Sequence, residues 1–314
     1  MLARIAHELY WLGRNLARAE FTARAVEGIF QAELQGARES GVTIGWDGLL
    51  AILGDTPASD VVTREVALSR LTLDADWPGS VRAHVERGRE GARTVRDVIS
   101  AEMWEAVNLT ALTMRADEPR RRAMPSGPYV SCQYVKERAA LIWGLADRTM
   151  LRDEAKYFLD AGGRIEAADM VLRMLRVALP GGERAAEAAD GQALALLQAV
   201  GGFHAYLRAV PAPPNARPVA RFLLFERTYP DSVAAAVDAF QEALTHADSA
   251  PRNSEPVLRL GRLAADLDFQ RRALADDAEL LATCEGVQQE LARVDQDVAE
   301  RYFAGAAAPG TVVS

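Results

Sequence analysis

A long amphipathic segment at the start of the chain constrains the fold more than any other feature of the sequence. Between residues 2 and 30 the apolar positions are separated by alternating steps of three and four, which is typical of one buried face of an α-helix. Those positions are Leu2, Ile5, Leu9, Leu12, Leu16, Ala19, Ala23, Val26 and Phe30. Because no proline interrupts the segment, we predict one continuous helix with a hydrophobic seam.

A second segment, residues 157–179, has the same spacing of apolar positions. Its seam consists of Phe158, Ala161, Ile165, Ala168, Leu172, Leu175 and Leu179. Shifting the sequence by 149 positions brings several matching residue types together. The aligned pairs are Leu9 with Phe158, Gly13 with Gly162, Leu16 with Ile165, Ala19 with Ala168, Glu20 with Asp169, and Arg24 with Arg173. We therefore predict that the chain contains this helix twice.

A second internal match supports a duplication. Residues 71–85 resemble residues 223–237 at an offset of 152, and both contain an aromatic residue followed by Pro-x-Ser-Val. Either the proline is the first helical residue or the serine caps the helix. Two matches in the same order predict two helical halves with pseudo-twofold symmetry, residues 1–150 and 151–305, packed as one composite domain, and a disordered tail at 306–314.

The rest of the chain predicts an all-α fold, because no segment shows the alternating pattern of a strand. We expect a helical bundle of roughly ten to twelve helices in which the two long helices pack against each other. Gly, Pro and Ser clusters place connections at 36–45, 117–128, 180–182 and 210–218. Between them, helices are predicted at 46–53, 59–71, 81–100, 101–115, 129–147, 188–209, 231–247 and 256–303.

Composition excludes several functional classes. The net charge of −8 disfavours general nucleic-acid binding, and no apolar run approaches the ~20 residues of a membrane span. The two cysteines, Cys132 and Cys284, form no CxxC pair, so we expect buried thiols in a reduced bacterial cytoplasm. Common nucleotide, metalloprotease and hydrolase motifs are absent, and the histidines, expected at the surface or at helix ends, lack ligand spacing. We predict no metal and no cofactor on this chain.

Three charged residues on the long helices lack a local partner. Arg14 and Arg18 have no carboxylate three or four residues away, and Glu166 has no cation at these spacings. They could belong to a solvated face, form a salt bridge between the two halves, or leave the arginines free to hold a carboxylate or phosphate. By contrast, Arg24 and Arg173 have Glu20 and Asp169 four residues earlier.

Two further groups are candidates for function. Trp104 and Asn108 lie four residues apart on one predicted helix, either as core packing with one satisfied amide or as the wall of a binding site. Glu20, Asp169 and Glu8 are candidate acid or base groups if they converge on an arginine-lined pocket.

The sequence resembles the bacterial alpha-E domain family. The resemblance is carried by the opening MLARIAHELYWLGRNLARAEFTAR, by ISAEMWEAVN at 99–108, by FLDAGGRIEAADM at 158–170 and by RFLLFERTYPDSV at 221–233. The family usually has glutamate where this chain has Ala17, and arginine at the positions of Gly163 and Ala167. Each long helix thus lacks what the other retains, and we predict that Glu166 lies within salt-bridge reach of Arg14 or Arg18.

What the resemblance implies concerns partners more than chemistry. Such proteins are typically encoded beside circularly permuted ATP-grasp ligases and transglutaminase-like proteins, with ATP and magnesium on the ATP-grasp partner. We therefore expect an accessory component of an amide or peptide ligase system that binds the partner, a peptide substrate or both. Two alternatives stay open, a helical enzyme using the acid or base groups named above, and a non-catalytic oligomeric scaffold. The arginines Arg14, Arg18, Arg24 and Arg173, together with Trp104, Asn108 and Glu166, are the candidate substrate or anion-binding residues.

Overall fold

The structure, a computed structural model, describes residues 1–34, 45–54, 62–116, 127–178, 192–273 and 277–305. Secondary structure over these ranges is helical, with no strand, which confirms the all-α prediction. The helices are α1 (Ala3–Leu34), α2 (Trp46–Ile52), α3 (Arg64–Leu73), α4 (Val81–Thr94), α5 (Ala101–Ala116), α6 (Tyr129–Thr149), α7 (Glu154–Ala178), α8 (192–199), α9 (Phe203–Ala209), α10 (Ala216–Phe225), α11 (Val233–Ala247), a 3₁₀ turn (Pro251–Asn253), α12 (Glu255–Ala273) and α13 (Asp277–Tyr302).

The two long helices, α1 and α7, pack directly against each other at a pair of glycines. A Cβ atom on Gly13 would overlap the carbonyl oxygen of Leu159, and one on Gly162 would overlap the carbonyl oxygen of Tyr10. Only glycine allows two helix backbones to approach this closely. The aligned glycines found in the sequence are therefore the contact point of the two helices.

The predicted seams form the centre of the hydrophobic core. On α1, Leu9 and Val26 have no exposed surface and Leu16 is 7% exposed. On α7, Phe158 and Leu172 are also buried. At ~1.5–3 kcal/mol for each large side chain fully removed from water, these seams make a large contribution to stability. Leu2 is an exception because it precedes the first turn of α1 and is 73% exposed.

The repeated aromatic–Pro–x–Ser segments both end in a serine N-cap. Ser80 has extended backbone dihedrals and its hydroxyl accepts a hydrogen bond from the backbone N–H of Ala83, at 2.9 Å. Ser232 does the same for the backbone N–H of Ala235, at 3.1 Å. Serine is therefore the capping residue in both copies, and the proline lies in the turn before it.

Two predicted helix boundaries were wrong, and a third cannot be compared over its whole length. Helix α4 ends at Thr94 rather than near residue 100, and residues 95–98 form a turn. The predicted helix at 188–209 is interrupted between α8 and α9, because Gly201 has a φ of +72° that a helix cannot accommodate. The predicted helix at 256–303 consists of α12 and α13, separated by residues 274–276, which lie outside the described ranges.

Other helices surround α1 and α7 in a matching order. Helices α3, α4 and α6 contact α1, while α10, α11 and α13 contact α7. In addition, α13 contacts α1 and α2 contacts α7, so each half contributes to the other's surroundings. This pattern is what a duplication would produce, but the twofold relationship itself stays a prediction. It would be tested by superposing residues 5–30 and 74–90 on 154–179 and 226–242 under one rotation.

Some sequence predictions concern residues outside the described ranges. These include most of the connections at 36–45 and 117–128, the helix end at 180–182 and the tail at 306–314. Across the ranges that are described, none of the helices combines the length and the apolar character needed to cross a bilayer.

Candidate functional site

Glu166, on α7, lies buried between two arginines of α1. Its carboxylate accepts hydrogen bonds from Arg14 Nε at 2.9 Å and from Arg18 Nε at 2.6 Å. The Glu166 side chain is 1% exposed and that of Arg14 is 8% exposed. The predicted salt bridge between the halves is confirmed, and both arginines take part in it. The three charges are neighbours because the glycine contact brings the two helices together just before them in sequence.

Arg14 has a second carboxylate partner, from α13. Its Nη1 atom lies 2.6 Å from Asp295 Oδ2, and Tyr10 donates its hydroxyl proton to Asp295 Oδ1 at 2.7 Å. The guanidinium also lies 4.6 Å from the ring centre of Trp11, a cation–π contact. The network therefore runs from Tyr10 through Asp295, Arg14 and Glu166 to Arg18.

The network fixes the charge state of its members. Burial by itself raises the pKa of Glu166, but the guanidinium groups of Arg18 and Arg14 outweigh it and hold that pKa at about 2. Burial lowers the pKa of Arg14, but Glu166 and Asp295 favour its charged form more strongly, so the pKa lies well above its ordinary value. Burial and the charge of Asp295 hold the pKa of Tyr10 well above its ordinary value.

A second group of polar residues adjoins Arg18 at the surface. We call Arg18 and Arg87, together with the buried His84 and Asn15 that Arg87 contacts, the cationic edge. Arg87, on α4, donates from Nε to Asn15 Oδ1 at 3.3 Å and from Nη2 to His84 Nδ1 at 2.6 Å. Arg87 is exposed, and the Arg18 side chain is 26% exposed. Solvent therefore reaches the arginines of this edge, while His84 and Asn15 are buried beneath them.

His84 corrects the sequence expectation that the histidines lie at the surface or at helix ends. It is 3% exposed because it lies on the buried face of α4, between Val81 and Gly88. Nδ1 of His84 lies 2.6 Å from Arg87 Nη2, which can only donate, and 3.3 Å from Asn15 Oδ1, which can only accept. The shorter contact favours an Nδ1 that accepts from Arg87. Burial, together with the positive charges of Arg18 and Arg87, holds the pKa of His84 well below its ordinary value. The ring is therefore neutral.

The charges that contact one another in this region do not balance. Arg14, Arg18 and Arg87 supply three positive charges, whereas Glu166 and Asp295 supply two negative ones. Burial and the charge of Arg18 both lower the pKa of Arg87, as expected for two guanidinium groups close together. The surplus positive charge therefore lies at the cationic edge.

Sequence reasoning missed five residues of this site, Tyr10, Asn15, His84, Arg87 and Asp295. Asp295 is 285 residues from its partner Tyr10, and local spacing carries no information about that pairing. A signal for His84 was present, since it occurs three residues after Val81 and four before Gly88, on an apolar helix face.

The three candidate acid or base groups do not share one pocket. Glu20 accepts from Arg24 at 2.6 Å, and Asp169 accepts from Arg173 at 2.7 Å. Glu8 lies 3.5 Å from His7. Glu8 and Glu20 are both on α1, and a rise of ~1.5 Å per residue puts them about 18 Å apart along the helix. The expectation that these three carboxylates converge is therefore wrong. A binding role for Arg24 and Arg173 stays a prediction.

Trp104 and Asn108 have the contacts expected of packing residues. Trp104 is half-buried against the core, and Asn108 Oδ1 accepts a hydrogen bond from Arg89 Nε at 2.8 Å. This arrangement favours the interpretation as core packing with a satisfied amide. Their role as a binding wall stays a prediction.

The described residues also form a small cavity. A small apolar cavity, with none of the candidate carboxylates in its wall, is lined by Ala23, Thr72, Leu73, Val81, Met114, Ser131, Cys132 and Val135. Over the described ranges, no cluster of three or more histidine, cysteine or acidic side chains could hold a metal ion. Both cysteines are buried free thiols, as predicted.

Comparison with known proteins places the chain in a family. The model of the family Alpha-E, described as a predicted alpha-helical domain with a conserved ER motif, matches residues 1–303. The chain belongs to the Alpha-E family. Uncharacterized proteins of Mycobacterium bovis and Mycobacterium tuberculosis are 24% identical to it over 316 residues, covering 93% of this chain and 34% of theirs. This Alpha-E chain thus spans about a third of the length of those relatives. No solved structure matches it significantly.

In this Alpha-E chain, a glutamate–arginine unit is divided between the two long helices. This chain has Ala17-Arg18 on α1 and Glu166-Ala167 on α7, so neither long helix has a Glu-Arg pair at these positions. The remaining glutamate and the remaining arginine pair with each other at 2.6 Å. The contact between α1 and α7 therefore brings one glutamate and one arginine from different helices into a single ion pair.

Proposed function

We propose that this Alpha-E chain is an accessory, substrate- or partner-binding component of an ATP-grasp-dependent amide or peptide ligase system. The observation that carries a binding role, rather than catalysis, is the protonation state of its charged site. Glu166 is held ionised by its pKa of about 2, Tyr10 is held protonated by its raised pKa and His84 is held neutral by its lowered pKa. A general acid or base works best when its pKa lies near the operating pH. The pKa values of these three groups are shifted away from that range.

Two further points support a role as one component of a larger system. The relatives are about three times as long as the segment they share with this chain, so in them the Alpha-E segment is joined to additional sequence. The family resemblance implies an ATP-grasp partner that carries ATP and magnesium, with a transglutaminase-like protein as a further associate. On this proposal the chain contributes recognition, and its partner contributes the chemistry.

A scaffold role is the second candidate, because α5 exposes two leucines on one face. Leu109 and Leu112 are three residues apart and are 55% and 44% exposed. If this face mediates self-association, Leu109→Ser with Leu112→Ser will lower the mass measured by light scattering. An unchanged mass, or a monomeric wild type, removes this candidate.

The experiment combines this chain with an ATP-grasp protein from the same organism. Co-elution on a sizing column and a rise in ATP-dependent amide formation on adding the chain are expected. Arg18→Gln alters the charged site and is expected to reduce the rise. Arg262→Gln is a matched control, because Arg262 is 84% exposed and remote from that site. The absence of both association and any effect on turnover would contradict the proposal.

A further inference from the structure

We propose that the cationic edge binds the carboxylate group of a peptide or amino acid, through Arg18 and Arg87. The proposal rests on the proposed function for its biological role, since it names the ligand class that such a component would recognise. Its physical basis is independent of any ligase, and it concerns Arg87, which the sequence did not single out.

The first step concerns the hydrogen-bond donors left over. Arg18 uses only Nε, toward Glu166, and over the described ranges its two terminal nitrogens make no hydrogen bond. Arg87 uses Nε and Nη2, and within the same ranges its Nη1 makes none. Guanidinium groups bind carboxylates most strongly through two parallel N–H donors. Arg87 bonds to Asn15, which lies three residues before Arg18 on α1, so the two guanidinium groups adjoin the same face of that helix.

The second step concerns how firmly the two arginines are held. The buried carboxylate of Glu166 holds Arg18 in place through a hydrogen bond. Arg87 is held in place by hydrogen bonds to Asn15, His84 and the backbone carbonyl of Pro78. A neutral His84 can accept the hydrogen bond from Arg87, which a charged imidazole could not do. Arginines that are already positioned lose little conformational entropy on binding an anion.

The third step concerns the charge of the ligand. The site has one positive charge in excess, so a carboxylate, with a single negative charge, neutralises it. A doubly charged phosphate would overcompensate beside Glu166 and Asp295, which already contribute two negative charges. An anion between Arg18 and Arg87 would also relieve the repulsion that lowers the pKa of Arg87.

The fourth step concerns what adjoins the carboxylate. The ring of Trp11 is half-buried and its centre lies 5.9 Å from the guanidinium carbon of Arg18. A flat, partly exposed indole can pack against the aliphatic part of a peptide residue next to its carboxylate. The combination of two arginines and one aromatic face fits a peptide end better than an isolated inorganic anion.

The test measures binding to the isolated chain by calorimetry. The probes are N-acetylated trialanine with a free C-terminal carboxylate, the same peptide as its C-terminal amide, and inorganic phosphate. We expect the free acid to bind at least about tenfold more tightly than the amide, the ratio that one charge-assisted contact supplies. Arg87→Gln should lower affinity for the acid about tenfold and leave the amide unchanged, whereas Arg262→Gln should change neither.

Several results would overturn the inference. Equal affinity for acid and amide, no binding of the acid at millimolar concentration, or tighter binding of phosphate would each exclude a carboxylate site. If Arg87→Gln does not fold, the ¹⁵Nε–H resonances of the wild-type arginines serve instead. The resonances of two arginines should move with the acid and not with the amide. Because no ligase is present, failure here is distinguishable from failure of association with the ATP-grasp protein.

Discussion

Replacing Glu166 with glutamine tests the physical account of the charged site most directly. The substitution keeps the size of the side chain but removes the negative charge that Arg14 and Arg18 share. Arg14 would retain Asp295, while Arg18 could turn further into solvent. The buried guanidinium of Arg14 is therefore the group that loses most.

The expected loss of stability is about 3 kcal/mol. A pKa that falls from 4.5 in the unfolded chain to about 2 in the folded chain corresponds to this amount, at ~1.4 kcal/mol for each pKa unit. Breaking a buried pair by removing one partner typically costs ~3–5 kcal/mol, and the remaining contact with Asp295 places this case at the lower end.

Urea denaturation at neutral pH measures the loss, and a matched surface pair provides the control. Glu86 pairs with Arg115, whose side chain is 44% exposed, so Glu86→Gln should cost less than about 1 kcal/mol. In a double-mutant cycle, Glu166→Gln and Arg18→Gln should be non-additive, because the two residues are in direct contact.

The pH dependence gives an independent check. Because the folded pKa of Glu166 lies below the unfolded one, its contribution is fully present above about pH 4.5 and is lost as the pH falls through about 2. The difference in free energy of unfolding between the wild type and Glu166→Gln should therefore shrink over that range. A loss below about 1 kcal/mol at neutral pH, additive effects in the cycle and a pH-independent difference would together refute the argument.

Three further predictions concern the core. Gly13→Ala should lower the free energy of unfolding by at least about 2 kcal/mol, because its Cβ atom would overlap the Leu159 backbone. Gly144→Ala is the control and should raise the free energy of unfolding by up to ~1 kcal/mol, because the space around Gly144 is open. Equal effects of the two substitutions in urea denaturation would contradict this prediction. Leu16→Ala should cost ~2–5 kcal/mol in the same assay, and a change near zero would overturn the seam assignment. Burial raises the pKa of the Cys132 and Cys284 thiols to about 12. Both thiols should therefore react slowly with a thiol reagent at about pH 8 until urea is added. Rapid labelling of the folded chain would show that the thiols are accessible.

The sequence was most informative where a local rule applies. The three-four spacing located α1 and α7, and the aligned glycines marked where they touch, because both follow from the geometry of a single helix. The contact of Glu166 with Arg14 and Arg18 was predictable because each charge lacked a partner on its own helix.

The rest of the site depends on how helices far apart in sequence are rotated and shifted against one another. Asp295 faces Arg14 only because α13 contacts α1, and Arg87 faces Arg18 only because α4 packs with its histidine face inward. Spacing along one helix does not determine such registers. The helix break at Gly201 was missed for a different reason. A glycine pair does not by itself show that a helix ends, because Gly162-Gly163 lie within α7 without ending it.

The pairing of Tyr10 with Asp295 also determines when the site can form during synthesis. The two residues are 285 positions apart, a separation that a ribosome covers in about 15–60 s at ~5–20 residues per second. Throughout that interval α1 has emerged, but the carboxylate that completes its network has not yet been made. Until Asp295 is synthesised, Arg14 lacks one of its two carboxylate partners. Helix α1 is therefore translated well before the helix that completes its native surroundings.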